Sequence, residues 1–381
     1  MKKVLIGTSA LVAASFVATG PAAAAEKITL GLGGFMNQWV GFADQDGSFE
    51  GTNDYGSFDA KSNTEIYFQG STKLDNGLTV GAQVQLESDR EAGSIDGNVA
   101  YISSADMGTL YLGGGLGAYS RVTANAPTAA FDGATSGSQE SPDQWVKNPN
   151  STVSNANTQH ATGSVSRIFF VHVDAGAEDD NGIAYVSPSF SGFQIGASYH
   201  PSTATDMDAN NYKDGAVGGD MSLMQVAAKY TGNFDGVGLT LSAGYNEADD
   251  DDTAAFTDGF SQWRANGTIS YAGFTFGGGY TKVDQDRVSD TNDGYAWNAG
   301  LMYATGPYKI SANYFTSEVR GATGTAGDDV YTYYGVNGSY NMGPGVDMKA
   351  SIGKVEWDDE TTNLSNNNEG WFAAAGLNLA F

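Results

Sequence analysis

The feature that most constrains this chain is an alternation of apolar and polar residues with period two, repeated from Ile28 to the final residue. Successive side chains of a strand point to opposite faces, so this rhythm marks strands with one greasy and one wet surface. In the segment 78–86, Leu78, Val80, Ala82, Val84 and Leu86 share one face, while Thr79, Gln83 and Gln85, continued by Glu87, share the other. The same split separates Val237, Leu239, Leu241, Ala243 and Tyr245 from Thr240, Ser242 and Asn246. It also separates Tyr308, Ile310, Ala312 and Tyr314 from Lys309, Ser311 and Asn313. Beyond the N-terminal run no apolar stretch approaches the ~20 residues a membrane helix needs, and no capped helical period recurs. A chain of this pattern enters a membrane as strands or not at all.

Half-buried alternation also describes a soluble sandwich, and the aromatic residues decide between the two. Trp263 and Tyr271, Phe274 and Tyr280, Tyr295 and Tyr303, and Trp371 and Phe381 lie on the apolar faces, toward opposite ends of their segments. Ten residues at ~3.3 Å each, tilted about 40°, rise roughly 25 Å, the height of the apolar band of a membrane barrel between its two aromatic girdles. Turn signals divide the chain into sixteen candidate strands, at 27–42, 61–75, 78–90, 96–105, 109–117, 181–190, 192–200, 219–232, 237–247, 259–272, 273–283, 294–305, 307–317, 329–342, 346–357 and 370–381. The predicted fold class is therefore all-β, a transmembrane antiparallel β-barrel of about sixteen strands. An even count is what a bacterial single-chain barrel requires.

Short and long connections alternate. Asp75-Asn76-Gly77, Asp106-Met107-Gly108, Ser191-Gly192, Ala272-Gly273, Gly306-Pro307 and Gly343-Pro344-Gly345 read as tight turns, with polar loops such as 247–258 and 358–369 between them. Tight turns on one rim and long loops on the other are the layout of outer-membrane barrels. One connection, Ala118 to Asp180, is out of scale. Loops longer than ~15 residues are uncommon and tend to carry function, although Ser164–Val173 inside this one also reads as a short strand.

The N-terminus reads as an export signal: Lys2 and Lys3, an apolar run from Val4 to Ala18, and the small residues Ala23-Ala24-Ala25. Cleavage there places residues 1–25 in a signal peptide and 26–381 in a single barrel domain, and leaves 16 basic against 44 acidic residues, a balance of −28. Such acidity excludes nucleic-acid binding through a basic face. Aromatic residues at 12% and charged residues at only 16% exclude a solvating, disordered chain. With no cysteine and only His160, His172 and His200, neither a thiol nucleophile nor a cysteine metal cluster is available, and no cofactor is expected. No Gly-x-Ser-x-Gly turn marks a hydrolase nucleophile, so no catalytic residue is expected.

At this point the chain resembles the general-diffusion porins of Gram-negative bacteria. The resemblance covers nearly the whole mature chain and rests on the signal, the strand rhythm, the stretch Val99 to Gly113 (VAYISSADMGTLYLG), the hairpin Tyr185 to Phe193 (YVSPSFSGF) and the ending Leu377-Asn378-Leu379-Ala380-Phe381. It implies a homotrimer of sixteen-stranded barrels in outer-membrane lipid, passing ions and small hydrophilic solutes. It further implies that the third outer loop folds into the barrel and narrows it; Ala118 to Asp180 stands in that position, with Asp132, Glu140 and Asp143 as its available acids.

Strand parity puts Arg264, Lys309 and Lys349 on the wet face, together with Glu65, Glu87 and Asp347, while Lys73 and Arg90 sit on early strands near the loop. These are the candidate pore-lining residues, since charge at membrane depth is tolerable where it stays solvated. Inward glycines, including Gly277, Gly279, Gly353 and Gly376, argue for space within. Asp249, Asp250, Asp251 and Asp252 are weak candidates for loop cation binding, without EF-hand spacing. The charge balance predicts moderate cation selectivity. The alternatives are a substrate-selective pore, for which Tyr331 and Tyr333 are too few to form a sugar ladder, and a structural barrel without an open channel.

Overall fold

The structure, a computed structural model, describes residues 27–50, 56–87, 95–131, 141–147, 149, 181–201, 222–249, 260–285, 293–320, 327–359 and 367–381, with backbone only at 96, 249 and 285. Sixteen strands follow one another: β1 (Gly31–Gln45), β2 (Phe58–Lys73), β3 (Thr79–Glu87), β4 (Ile95–Ser104), β5 (Gly108–Gly114), β6 (Asn181–Val186), β7 (Phe193–His200) and β8 (Ser222–Phe234) form the first half. The second half is β9 (Val237–Asp249), β10 (Phe260–Tyr271), β11 (Phe274–Gln285), β12 (Gly294–Thr305), β13 (Tyr308–Arg320), β14 (Asp328–Gly343), β15 (Val346–Asp358) and β16 (Asn368–Ala380). Among the described residues two one-turn helices interrupt them, α1 (Gly47–Glu50) and α2 (Ala118–Arg121).

Every strand pairs antiparallel with its neighbour in sequence, and β1 pairs with β16 from Phe35↔Ala380 to Gln45↔Gly370, so the sheet closes. Gly34 and Phe381 complete the seam by exchanging backbone hydrogen bonds of 2.9 and 3.1 Å. Sixteen strands spaced ~4.8 Å apart and tilted about 40° enclose a backbone cylinder roughly 30 Å across, too wide for side chains from the wall alone to fill.

Each sequence-predicted strand has its counterpart, with shifts at the ends. β1 starts at Gly31 rather than 27 and runs on to Gln45. β6 stops at Val186, because Pro188 has no N–H with which to continue the ladder. The hairpins Ser191-Gly192 and Ala272-Gly273, and a third at Asp235-Gly236 that was not among the predicted turns, have positive φ at both central residues (51/91°, 50/87° and 50/89°). That geometry matches the right-handed twist of the flanking strands, and glycine supplies its second position without strain. The segment Ser164–Val173 lies outside the described residues, as do residues 1–26.

The two faces of the wall differ as the alternation requires. The outer face is apolar and bare: Leu32, Phe42, Ile195, Phe276, Ile310 and Ile352 are all more than half exposed. Its aromatic rings meet across strands in two belts. Phe193–Tyr230 (4.7 Å), Phe274–Tyr303 (4.5 Å) and Tyr308–Tyr340 (5.0 Å) lie near the tight-turn rim. Trp263–Tyr280 (5.1 Å) and Trp297–Tyr314 (4.6 Å) lie toward the loop rim. An exposed apolar band between aromatic belts is a lipid-facing surface.

Candidate functional site

The inner face is polar, and much of it serves to hold the long connection that leaves β5. That connection is described over 115–131 and 141–147, and along both stretches its backbone bonds to side chains on the polar face of the wall. Ser198 on β7 accepts from Ala118 N (2.9 Å), Gln225 on β8 from Tyr119 N (3.3 Å) and Ser242 on β9 from Ala124 N (2.8 Å). Asn266 on β10 donates to the Ala124 carbonyl (2.7 Å), and Asn313 on β13 to that of Pro127 (2.9 Å). Asn337 on β14 accepts from Phe131 N (3.2 Å) and donates to its carbonyl (2.8 Å), pairing with that residue as a strand would. Farther on, Gln45 accepts from Lys147 N (2.7 Å), Asn368 donates to the Lys147 carbonyl (2.7 Å) and Trp357 Nε1 to that of Val146 (3.3 Å). Irregular backbone at membrane depth must find such partners, and here the wall provides them.

Apolar contacts complete the docking. Phe131 packs on Trp39 (ring centroids 4.8 Å) and Phe372 (5.7 Å), and Trp145 stacks on Phe372 at an interplanar angle of 14°. Tyr331 and Tyr333 belong to this cluster, 1% and 0% exposed, and so are packing residues rather than rungs of a lumen ladder. Arg264 stands on the polar face as parity predicted, but it is only 1% exposed because its guanidinium lies 3.4 Å from the ring centroid of Tyr119 in α2. On β2, Lys61 Nζ sits 5.1 Å from the Trp145 ring and forms an ion pair with Asp59. Asp143, one of the three acids expected in the loop, is buried in the 3-10 turn Pro142–Gln144 beside this lysine. Burial pushes its carboxyl up to about 6, against the opposing pull of hydrogen bonds from Ser141 and Gln144 and of the Lys61 charge.

Among the described residues the inner face of β2–β5 makes none of these backbone contacts, and its tyrosines and glutamates are half open. Glu65 on β2 and Glu87 on β3 are direct cross-strand neighbours there, and Tyr67 Oη donates to Glu65 (2.7 Å). Phe35 meets Tyr67 edge-on at 6.3 Å, and Tyr101 on β4 meets Tyr111 on β5 at 6.2 Å. Tyr101 lies flat over Gly81, where a Cβ would stand 2.2 Å from a ring atom, so only glycine admits the ring. Arg121, at the end of α2, donates to the Leu116 carbonyl and stacks 3.8 Å over Tyr111, bringing a cation from the connection to this wall.

The remaining predicted residues fall elsewhere. Lys73 ends β2 near the turn rim, and Lys309 and Lys349 flank the same residue, Ser339, low on β13 and β15. Asp347 is near them and accepts from Asn341 (2.9 Å). Arg90, Asp132, Glu140, Asp250, Asp251 and Asp252 lie outside the described residues, as does the side chain of Asp249. Lys61, Tyr67, Tyr101, Tyr111, Arg121 and Lys229 were not singled out from sequence. Tyr67 was within reach, since it shares parity with Glu65; Arg121 was not, since nothing in a loop sequence fixes which wall it faces.

A closed barrel with a lipid-facing exterior, a polar interior and a wall-bound connection after the fifth strand defines an integral membrane barrel of the outer-membrane type. A family model for Gram-negative porins matches residues 7–360, and the chain belongs to that family. No curated protein matches it. Among solved structures, it is similar to an anion-selective porin from Comamonas acidovorans (15% identity, 93% of this chain and 100% of that one, TM-score 0.61). It is also similar to a loop-deletion mutant of OmpT of Vibrio cholerae (13% identity, 93% and 100%, TM-score 0.59) and to a triple mutant of the Rhodopseudomonas blastica porin (17% identity, 93% and 100%, TM-score 0.56). At these identities the likeness is one of fold.

Proposed function

We propose that this protein is a passive channel of the Gram-negative outer membrane, admitting ions and small hydrophilic solutes without a catalytic step. The observation that carries the reading is the division of the inner wall: among the described residues, the connection bonds to β7–β10, β13–β16 and the upper part of β1, while the tyrosines and glutamates of β2–β5 stay half open to the lumen. On this reading 118–180 is the constriction, tight turns face the periplasm, and residues 1–25 are removed on export. Glu65, Glu87, Tyr67, Tyr101, Tyr111 and Arg121 line the narrow zone, and Lys73, Lys309, Asp347 and Lys349 line the vestibule below it.

The assembly is a homotrimer in outer-membrane lipid, with the smooth outward alanines Ala373 and Ala375 of β16 near the contact. Migration as a monomer in mild detergent without heating, and no trimer on crosslinking, would count against that. The pore prefers cations moderately, in keeping with a mature charge of −28. The channel itself is tested by adding purified protein to a planar lipid bilayer: stepwise conductance is expected, and a folded protein that inserts but passes no current would leave a structural barrel as the better reading.

A further inference from the structure

We propose that the open wall of the lumen is a weak binding site for neutral pyranose sugars, a reading that rests on the channel proposed above. Three observations converge on it. The half-open rings Tyr67 and Tyr101 face the side of the barrel that water fills, although an exposed ring in water contributes nothing unless a partly apolar solute covers it. Between them on the same face stand the glutamines of β2 and β3, with Gln69 directly opposite Gln83. Gln83 is 8% exposed and its Nε2, shielded from solvent, has no hydrogen-bond partner among the described residues, an unmet donor that a turn of its side chain would bring to the aromatic strip.

A buried amide N–H without an acceptor is costly, so a solute oxygen that meets it as the side chain turns outward is favoured. A pyranose has an apolar C–H face suited to an aromatic ring and an equatorial belt of hydroxyls suited to glutamine amides. Sites of this kind combine aromatic lining with a few placed polar groups. With Lys61 taken up by Asp59, Glu65 and Glu87 stand against Arg121 and leave the wall slightly acidic, a balance to which a neutral solute is indifferent. A simple ion has no C–H face to lay on the rings, and an acyclic polyol offers hydroxyls without a continuous one.

The test uses the full-length protein in planar bilayers in strong salt, with maltotriose as probe and sorbitol as the comparison. Maltotriose is expected to reduce the ion current in a saturable way with added noise, while sorbitol at the same hydroxyl concentration is not. Tyr101→Ala should raise the half-saturating concentration roughly two- to tenfold, as the loss of one ring contact implies, and Tyr101→Phe should keep it near the original. Gln83→Leu, which leaves every aromatic residue in place, should weaken the block even if the Tyr101→Ala barrel assembles poorly. A channel that conducts salt normally but is blocked equally by both solutes, or by neither, overturns the sugar site and leaves the channel standing. A protein that passes no salt current overturns the channel reading and this inference with it.

Discussion

Asp143 shows how one residue couples the connection to pH. Its carboxyl is raised from 3.8 to about 6 by burial, so the docked loop holds a proton that the undocked loop releases. The group therefore contributes fully to docking below about pH 4 and loses that contribution as pH rises through 6, an effect on the order of 3 kcal/mol across the window. Lys61 faces it from β2, itself paired with Asp59, and limits the loss. Current fluctuations should increase from pH 4 to pH 7 with a midpoint near 6, and Asp143→Asn should make them insensitive to pH. An unchanged midpoint in that variant would assign the titration elsewhere. Arg264, on the polar face as its parity suggested, is packed against the connection. Covered by Tyr119, it fixes α2 against β10, and a desolvated cation–π contact of this kind is worth about 2 kcal/mol. Arg264→Gln is thus expected to lower thermal stability and broaden the conductance distribution while leaving the reversal potential in a salt gradient nearly unchanged. A clear rise in cation preference would instead place the guanidinium in the ion path.

At the scale of elements, the strands were legible in the sequence and the docking was not. Alternation, turn residues and aromatic spacing are local signals, and they located all sixteen strands to within a few residues, β12 to the residue. The serines and asparagines that grip the connection were equally visible as wet-face residues. Their partners were not, because Ser198 meets Ala118 across 80 residues and Asn337 meets Phe131 across 206, separations over which no periodicity speaks. For the same reason Tyr331 and Tyr333 read as open to the lumen until Trp357, Phe372 and Phe131 were seen around them. Docking through many modest hydrogen bonds makes a graded prediction. Asn337→Ala removes two bonds to Phe131 and should loosen one stretch at a cost of about 1–3 kcal/mol, seen as noisier current at nearly the same mean conductance. Deleting 126–157 removes every contact beyond Ala124, those of Pro127, Phe131, Trp145, Val146 and Lys147 among them, and should enlarge the conductance while the wall still resists heat and detergent. An unaltered conductance from a correctly assembled deletion would show that the connection does not narrow the pore.

For the molecule as a whole, charge is distributed so that position matters more than sum. Most strand carboxylates near the loop rim point outward, among them Glu318, Asp328, Glu356 and Glu369, whereas the inner wall sets Lys61, Lys73, Lys229, Lys309 and Lys349 against Asp59, Glu65, Glu87 and Asp347. The acidic balance should therefore act at the mouth, where salt screens it within ~10 Å at 0.1 M and ~3 Å at 1 M. Replacing Asp249, Asp250, Asp251 and Asp252 with asparagine should lower cation preference in dilute salt more than in strong salt, measured by reversal potential. Anion selectivity of the unaltered channel in dilute salt would show that the lysines of the wall dominate. The seam between β1 and β16 has a consequence for biogenesis. β1 keeps one flank unpaired until β16 arrives, and Gly34 meets Phe381 only then. A chain broken off early keeps two raw flanks whose N–H and C=O groups no lipid can satisfy and which other unfinished copies can. Premature truncation should thus yield sticky fragments that burden the cell's quality control rather than small harmless pores.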